Sequence, residues 1–366
     1  MKIIQVIPHL GSGGAERFAV DICNELAYKG HDVILCTLLK LEADLGFYVP
    51  QLSDKVRLIS LNKKIGFSFK AIVDFVKLVK KEKPHVIHSH LNTLPYIALA
   101  ELFLCKGVHT IHNDAQKEAS DFFNQISRKF LFRTKRVVPI TISKQSHDSF
   151  VNYYGFDAQI IYNGRNIIPK HTVSDGIKQE FKQYKRTPNT RCIVQLARFE
   201  PQKRIPMMAR VASRLEREGF DFSIINIGAL SNLKEYDDVM SSKPSCQYIL
   251  GQKSNPLEYL TEAGAYSLSS AYEGLPISLI EALGVGAVPI CTPVGGIVDL
   301  INDGVNGILA KDVDEESFYL ALKRYLELSQ DEINIMKESA LKSYAPYTMS
   351  ACVCEYLSVY KRIAQI

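Results

Sequence analysis

The chain has 366 residues, of which 46% are hydrophobic, 23% charged and 10% aromatic. At about 100–200 residues per domain this length favours two domains, and the composition excludes disorder, collagen and coiled coil. The net charge of +5 is uneven: residues 1–170 hold 23 Lys+Arg against 15 Asp+Glu, leaving 21 against 24 in the remainder. Two readings of the basic half stand: lysines that only solubilise, or a face that meets something anionic. No apolar run reaches the length of about 18 residues that a membrane span requires. The longest, over 91–105, is interrupted by Asn92, Pro95 and Glu101. The first eight residues carry one lysine and no small-residue cleavage site, so a cytoplasmic protein is expected.

Residues 3–7 read as a strand ending at Pro8, followed by Gly11-Ser12-Gly13-Gly14. A helix is predicted over 15–28, where Phe18, Ala19, Ile22, Cys23, Leu26 and Ala27 recur at helical spacing before Gly30. Strands are predicted over 33–39 and 56–61, then an amphipathic helix over 69–81 with a lysine-rich end. Residues 85–88 form a fourth strand, 94–104 a largely buried helix, and 108–112 and 137–142 two further strands. Short apolar strands alternating with helices imply right-handed crossovers and a parallel sheet covered on both faces. Between 169 and 189 the chain turns polar, with Pro169, Gly176 and Pro188, which suits a boundary and hinge. The pattern then restarts with strands over 192–196, 222–227, 247–250, 265–270 and 288–291. Helices are expected over 205–216, 277–283 and 317–328, and a long one from 351 to the end. The outcome is an α/β protein of two doubly wound domains, 1–170 and 171–348. The C-terminal helix, 349–366, is expected to pack back towards the first domain. Parallel sheets bind ligands at the carboxyl ends of their strands, so a cleft between two such domains is the natural site.

Three segments carry chemistry. In Gly11-Ser12-Gly13-Gly14 the missing side chains let a ligand approach the backbone, and the next helix start offers unpaired N–H groups. A bare tight turn would look the same. Arg198-Phe199-Glu200-Pro201-Gln202-Lys203 follows the first strand of the second half. There an Arg can fork onto two phosphate oxygens while a Lys adds a point charge. A solvated loop is the plain alternative. In the third segment, Tyr272 to Glu281, Gly274 permits a sharp turn and Pro276 suits a first helical turn. A phosphate at that helix end would be flanked by Glu273 and Glu281, whose natural partners are hydroxyl groups. That arrangement suits a nucleotide sugar. The plain alternative is a first-turn Glu favoured by the helix dipole, with a second on a solvated face.

The E-x7-E segment with its internal Gly-x-Pro resembles the signature of the family 4 retaining glycosyltransferases, whose GT-B fold has two facing Rossmann-like domains and an interdomain cleft. The agreement runs along nearly the whole chain. Gly13-Gly14-Ala15-Glu16-Arg17 resembles the family's N-terminal glycine loop, and His88-Ser89-His90 and Thr110-Ile111-His112-Asn113 its two histidine-bearing segments. Ile142-Ser143 and Tyr162-Asn163-Gly164 fall at its pre-hinge elements. Val294-Gly295-Gly296 and 303–307 resemble its C-terminal turns. Three positions depart: Arg204 replaces the usual glycine, Gly228 is the one glycine kept of a Gly-x-Gly turn, and Asp299 stands where Glu is common.

The resemblance implies a transferase that moves a hexose or N-acetylhexosamine from a nucleotide sugar, with UDP favoured, and needs no metal or cofactor. In it Arg198 and Lys203 neutralise the donor diphosphate, Glu281 holds the ribose and Glu273 contacts the transferred sugar. Gly228, Lys253, Gly274, Leu275, Pro276 and Ile277 complete the donor side, and Gly13 and Gly14 approach the diphosphate from the other domain. His90, His112 and Asn113 line the acceptor side, with His112 nearest the chemistry. Asp312-Val313-Asp314 reads as a helix cap rather than a metal motif. The eight cysteines read as buried reduced thiols. Between 117 and 137, Phe122, Phe123, Ile126, Phe130, Leu131 and Phe132 alternate with Arg128, Lys129, Arg133, Lys135 and Arg136. That pattern suits an anionic membrane surface, where an acceptor on a polyprenyl diphosphate would place a peripheral enzyme, or else a helix whose Phe face is core. Competing functions are a GT-B nucleotide-sugar epimerase, which needs no acceptor, and a non-catalytic scaffold of a glycan-assembly complex. No nucleic-acid reader motif is present.

Overall fold

In a computed structural model that describes residues 1–119, 121–167, 172–230 and 232–366, the short apolar runs become parallel strands in two separate sheets. One unit comprises Met1–Asn166 and Tyr347–Ile366, the other Ile167–Pro346. The expected boundary at 170/171 falls outside the described residues.

The first unit contains β1 (Lys2–Ile7), β2 (Asp32–Leu39), β3 (Val56–Lys63), β4 (Val86–His90), β5 (Gly107–Ile111), β6 (Val137–Thr141) and β7 (Gln159–Ile160). Their order is β3-β2-β1-β4-β5-β6-β7, and every pairing is parallel. β1 lies between β2 and β4, so the chain reverses direction there, and the loops after β1 and β4 part to form a crevice. β7 escaped the sequence reading because two residues, one of them a glutamine, carry no periodicity. The core joins Ile4, Val6, Ile34, Phe75, Ile87, Ile97, Leu131 and Phe150 from both faces of the sheet. The C-terminal helix, Met349–Ala364, belongs to this unit and buries Cys352, Val353, Tyr356, Val359 and Tyr360. Gly164 permits its approach: a Cβ there would lie 2.7 Å from the Thr348 carbonyl and from the Cys352 Cβ.

The second unit contains β8 (Arg191–Leu196), β9 (Phe222–Ile227), β10 (Gln247–Ile249), β11 (Ala265–Leu268), β12 (Val288–Cys291) and β13 (Ile308–Leu309). The order β10-β9-β8-β11-β12-β13 repeats the same reversal, here between β8 and β11. Helix Ile205–Arg217 presses Met207, Met208, Val211 and Leu215 onto Ile193, Ile224 and Phe222. β11 ends at Leu268, two residues short of the expected strand, and frees Ser269 and Ser270 for the loop. Helices Lys144–Tyr154, Leu233–Ser242, Pro256–Ala263 and Gln330–Ser343 were missed although their starts are marked. Ser329 and Glu332 form a capping box before Gln330–Ser343, and Pro256 opens Pro256–Ala263.

Candidate active site

In the second unit, the loops that leave β8 and β11 at the reversal point carry the charged residues. Lys203 Nζ lies 2.6 Å from Glu273 Oε1, and the two side chains are only 16% and 7% exposed. The two loops are tied at several points. Ala271 N–H donates to the Gln202 carbonyl at 2.8 Å and Ser269 Oγ to the Lys203 carbonyl at 2.9 Å. Glu273 also accepts from Ser270 Oγ at 2.5 Å, and Gln202 Nε2 donates to the Tyr272 carbonyl at 2.7 Å. The sequence reading gave Lys203 and Glu273 separate tasks, whereas the structure makes each the other's partner. Ser270 and Gln202 were not foreseen, and only their place at a strand's carboxyl end marks them.

Arg198 is more open, at 43% exposure, with Glu200 at 3.3 Å. A surface pair of that kind contributes little and leaves the guanidinium able to turn onto another anion. Gly228 acts through its backbone: a Cβ there would lie 2.0 Å from the Ala197 carbonyl oxygen and 3.0 Å from Arg198 N. Arg204, where a glycine is usual, adopts the left-handed conformation a glycine would take (φ 51°, ψ 40°) and bonds the Val313 carbonyl. That geometry costs roughly 1–2 kcal/mol for a residue with a Cβ, yet it preserves the loop.

Helix Ile277–Val285 has Pro276 as its N-cap, one residue before the first-turn position expected. No side chain caps it and no acid lies in its first turn, so its end keeps a partial positive charge. The chain bends at Gly274 as expected, and the left-handed conformation beside it belongs to Gly295 (φ 59°). A Cβ on Gly295 would sit 2.2 Å from the Glu273 carbonyl oxygen, and Gly296 N–H donates to the Gly274 carbonyl at 2.5 Å. Leu275 and Ile277 are buried, and Glu281 is 8% exposed. Lys253 follows β10 at the sheet edge, two strands from β8, and has Glu180 at 3.7 Å and the Tyr259 ring as neighbours. It is not brought to the Lys203–Glu273 pair by any of these contacts. Asp314 accepts from Ser317 N–H at the start of Glu315–Glu327, which makes it a cap. Seven cysteines are buried, but Cys354 is exposed, contrary to expectation.

In the first unit Gly13 caps helix Gly14–Tyr28, and the Glu16 carboxylate lies over that helix end, 3.5 Å from His9. The anion-binding role expected of Gly13 and Gly14 therefore meets a like charge. His90 was expected to face an acceptor, but it is fully buried against Phe18, His88 and His112. It is a support for His112. Gln5 Nε2 donates to Tyr360 Oη, so Gln5 Oε1 accepts from His90 Nε2–H at 2.8 Å. His90 Nδ1 then accepts from His112 Nε2–H at 3.0 Å, which leaves His112 Nδ1 as an acceptor. Tyr360 and Thr110 in turn hold the buried His88 at 2.5 and 2.7 Å. The backbone N–H groups of His112 and Asn113 both donate to Glu118 Oε2, at 2.7 and 3.1 Å. Glu118 is locked by the buried Arg128 at 3.0 Å. Burial would raise its carboxyl, but Arg128 and His109 outweigh this and hold it at about 2. Glu118 and Arg128 were unforeseen as supports of His112, because 6 and 16 residues of chain separate them from it.

Burial depresses all four imidazoles of this cluster, His88 and His90 well below the usual range and His109 and His112 to about 4. The folded state thus stays neutral where the unfolded chain takes up protons below about 6.5. Stability is therefore expected to fall as pH drops from 7.5 to 5.5, by about 1.4 kcal/mol for each imidazole held neutral. His147, raised by its bond to Asp157, works in the opposite sense at the surface. Denaturant midpoints at the two pH values check this, and equal midpoints would mean the buried imidazoles ionise freely.

Two parallel α/β sheets, each reversing its strand order at its first strand, are the two domains of a GT-B fold. The chain matches the description Glycosyltransferase Family 4 over residues 12–167 and Glycosyl transferases group 1 over 176–343. It belongs to the family 4 glycosyltransferases. It is 28% identical over 350 residues to a Campylobacter jejuni relative, covering 92% of this chain and 91% of that one. That relative is named GalNAc-alpha-(1->4)-GalNAc-alpha-(1->3)-diNAcBac-PP-undecaprenol alpha-1,4-N-acetyl-D-galactosaminyltransferase. An Escherichia coli relative, 26% identical over 80% of this chain and 77% of its own, is named UDP-Gal:alpha-D-GlcNAc-diphosphoundecaprenol alpha-1,3-galactosyltransferase. Among solved structures, Anabaena HepE with UDP-glucose superposes with a TM-score of 0.81 at 18% identity, covering 98% of this chain and all of that one. A Rickettsia africae glycosyltransferase superposes with a TM-score of 0.81 at 19% identity, covering 99% and 98%. No described helix is long and apolar enough to cross a membrane.

Proposed function

We propose that this glycosyltransferase moves a hexose or N-acetylhexosamine from a UDP-sugar to a polyprenyl-diphosphate-linked saccharide, with retention at the anomeric carbon, in surface polysaccharide assembly. The observation that carries this is the joining of the Arg198–Lys203 loop to the Glu273–Glu281 segment at the reversal between β8 and β11. The lipid-linked acceptor and the UDP donor are supported by the names of the relatives and by the UDP-glucose bound to HepE. The protein acts in the cytoplasm, at the inner face of the membrane that carries such acceptors.

As the glycosidic C–O bond to phosphate breaks, the sugar gains oxocarbenium character and negative charge builds on the departing diphosphate. Arg198, Lys203 and the uncapped start of Ile277–Val285 place positive charge for it, without solvent having to reorganise. Glu281 holds the ribose hydroxyls. Glu273 contacts the transferred sugar near its reacting carbon and also orients Lys203. His112, neutral at pH 7, offers Nδ1 to an acceptor hydroxyl. These cations do the work a divalent ion would do, so no metal is required.

Incubation with UDP-sugars and a lipid-linked saccharide is expected to give an α product from an α donor, read from the anomeric proton by nuclear magnetic resonance. EDTA is expected to leave the rate within about twofold, since fixed cations supply the electrostatic stabilisation. A β product would overturn retention, and loss of activity in EDTA restored by Mg²⁺ would overturn metal independence.

A further inference from the structure

We propose that the exposed aromatic face of the first unit seats on an anionic lipid bilayer, a surface that deepens the reading above by placing the enzyme where its acceptor lies. Helix Phe122–Arg133 turns Asn124, Arg128, Leu131 and Phe132 inward. Its outward side shows Phe122, Phe123, Ile126 and Phe130, each 52–69% exposed. The alternative of a Phe face that is core does not hold, since most of the Phe-rich stripe faces away from the core. The patch extends beyond the helix. Phe67 stacks on Phe123 at 5.9 Å and on Tyr96 at 6.0 Å, and the adjoining Ile65 is 96% exposed. Helix Leu94–Phe103 packs beside it and adds Leu99 and the 77% exposed Phe103. Single exposed apolar residues are ordinary, whereas a joined patch marks a docking surface.

Charge selects the occupant. Lys64, Lys106, Lys129, Arg133 and Lys135 are exposed on these same segments, and among the described residues none has a carboxylate partner. The nearby carboxylates are engaged: Asp121 caps the helix by accepting from Asn124 N–H, and Asp74 pairs with Lys70. Aromatic rings amid unpaired cations fit an anionic headgroup layer, whereas lysine is depleted in the cores of protein interfaces. Phe67, Tyr96 and Phe123 also line a pocket of about 640 Å³ that holds Lys63 and Lys117 and reaches Pro8 and Leu91, past the carboxyl ends of β1 and β4. A bilayer against this face would bring lipid-borne diphosphates to the mouth of that pocket.

The chain contains no tryptophan, so Phe130→Trp introduces a single indole that can be excited selectively over the tyrosines. Mixed with phosphatidylglycerol–phosphatidylcholine vesicles, it should shift to the blue and be quenched by brominated lipid. Sedimentation of the unsubstituted protein with those vesicles should fall at least about fivefold with Phe122→Ser/Ile126→Ser/Phe130→Ser. Lys129→Glu/Arg133→Glu should abolish the preference over pure phosphatidylcholine. All these side chains are exposed, and unchanged melting curves verify folding. If the triple variant precipitates, the charge-reversal variant carries the comparison alone. No spectral shift, or equal sedimentation of the unsubstituted protein and the variants, would overturn the proposal. Neither donor nor acceptor is present in these assays, so they can fail while transfer to a short soluble acceptor succeeds, and the reverse.

Discussion

Replacing Arg198 or Lys203 by alanine is expected to lower kcat/KM by on the order of 10²-fold or more, the usual scale for losing a group that stabilises charge in a transition state. The two losses should differ in character. Arg198 is 43% exposed with Glu200 as its neighbour, so Arg198→Ala removes a charge and disturbs little else. Lys203→Ala also strips the mostly buried Glu273 of the cation 2.6 Å from it, leaving that carboxylate with Ser270 and Gln202. An uncompensated negative charge would then stand where the diphosphate must lie, so Lys203→Ala should be the more severe of the two. Steady-state kinetics on purified variants with matched melting temperatures measures both. Wild-type turnover by either one removes that residue from the site.

Glu273→Gln and Glu281→Gln are expected to separate kcat from KM. A ribose contact changes little between bound substrate and transition state, so Glu281→Gln should mostly raise the donor KM. Glu273 holds Lys203 and lies in the turn before the helix, so Glu273→Gln should mostly lower kcat. The amide keeps the bond from Ser270 but gives up the charge that orients the ammonium. A Glu273→Gln enzyme with unchanged kcat and raised KM would exchange the two assignments.

Most strand and helix positions were legible because apolar periodicity needs only neighbouring residues. β9 and β12 match their expected ranges, and helix Phe69–Glu82 runs one residue past its range. What escaped was of two kinds. β7 is too short to show a period, and Gln330–Ser343 was missed although its capping box is written in Ser329 and Glu332. Candidate site residues could be picked out where a charged type stands after an apolar strand, as with Arg198, Lys203 and Glu273.

Sequence alone determined the class of fold and the charged residues that follow the strands, since each depends on spacing along the chain, and the family entered as a resemblance of motifs. Tertiary structure alone decided which of those residues meet. Lys203 and Glu273 are 70 residues apart and Gln5 and Tyr360 are 355 apart, and each pair forms because strand order brings distant loops or faces together. It also decided that His90 is a buried support and that the left-handed residue packed against Glu273 is Gly295. Burial, backbone conformation and the identity of a partner are properties of the packed chain, and no single stretch of residues contains them.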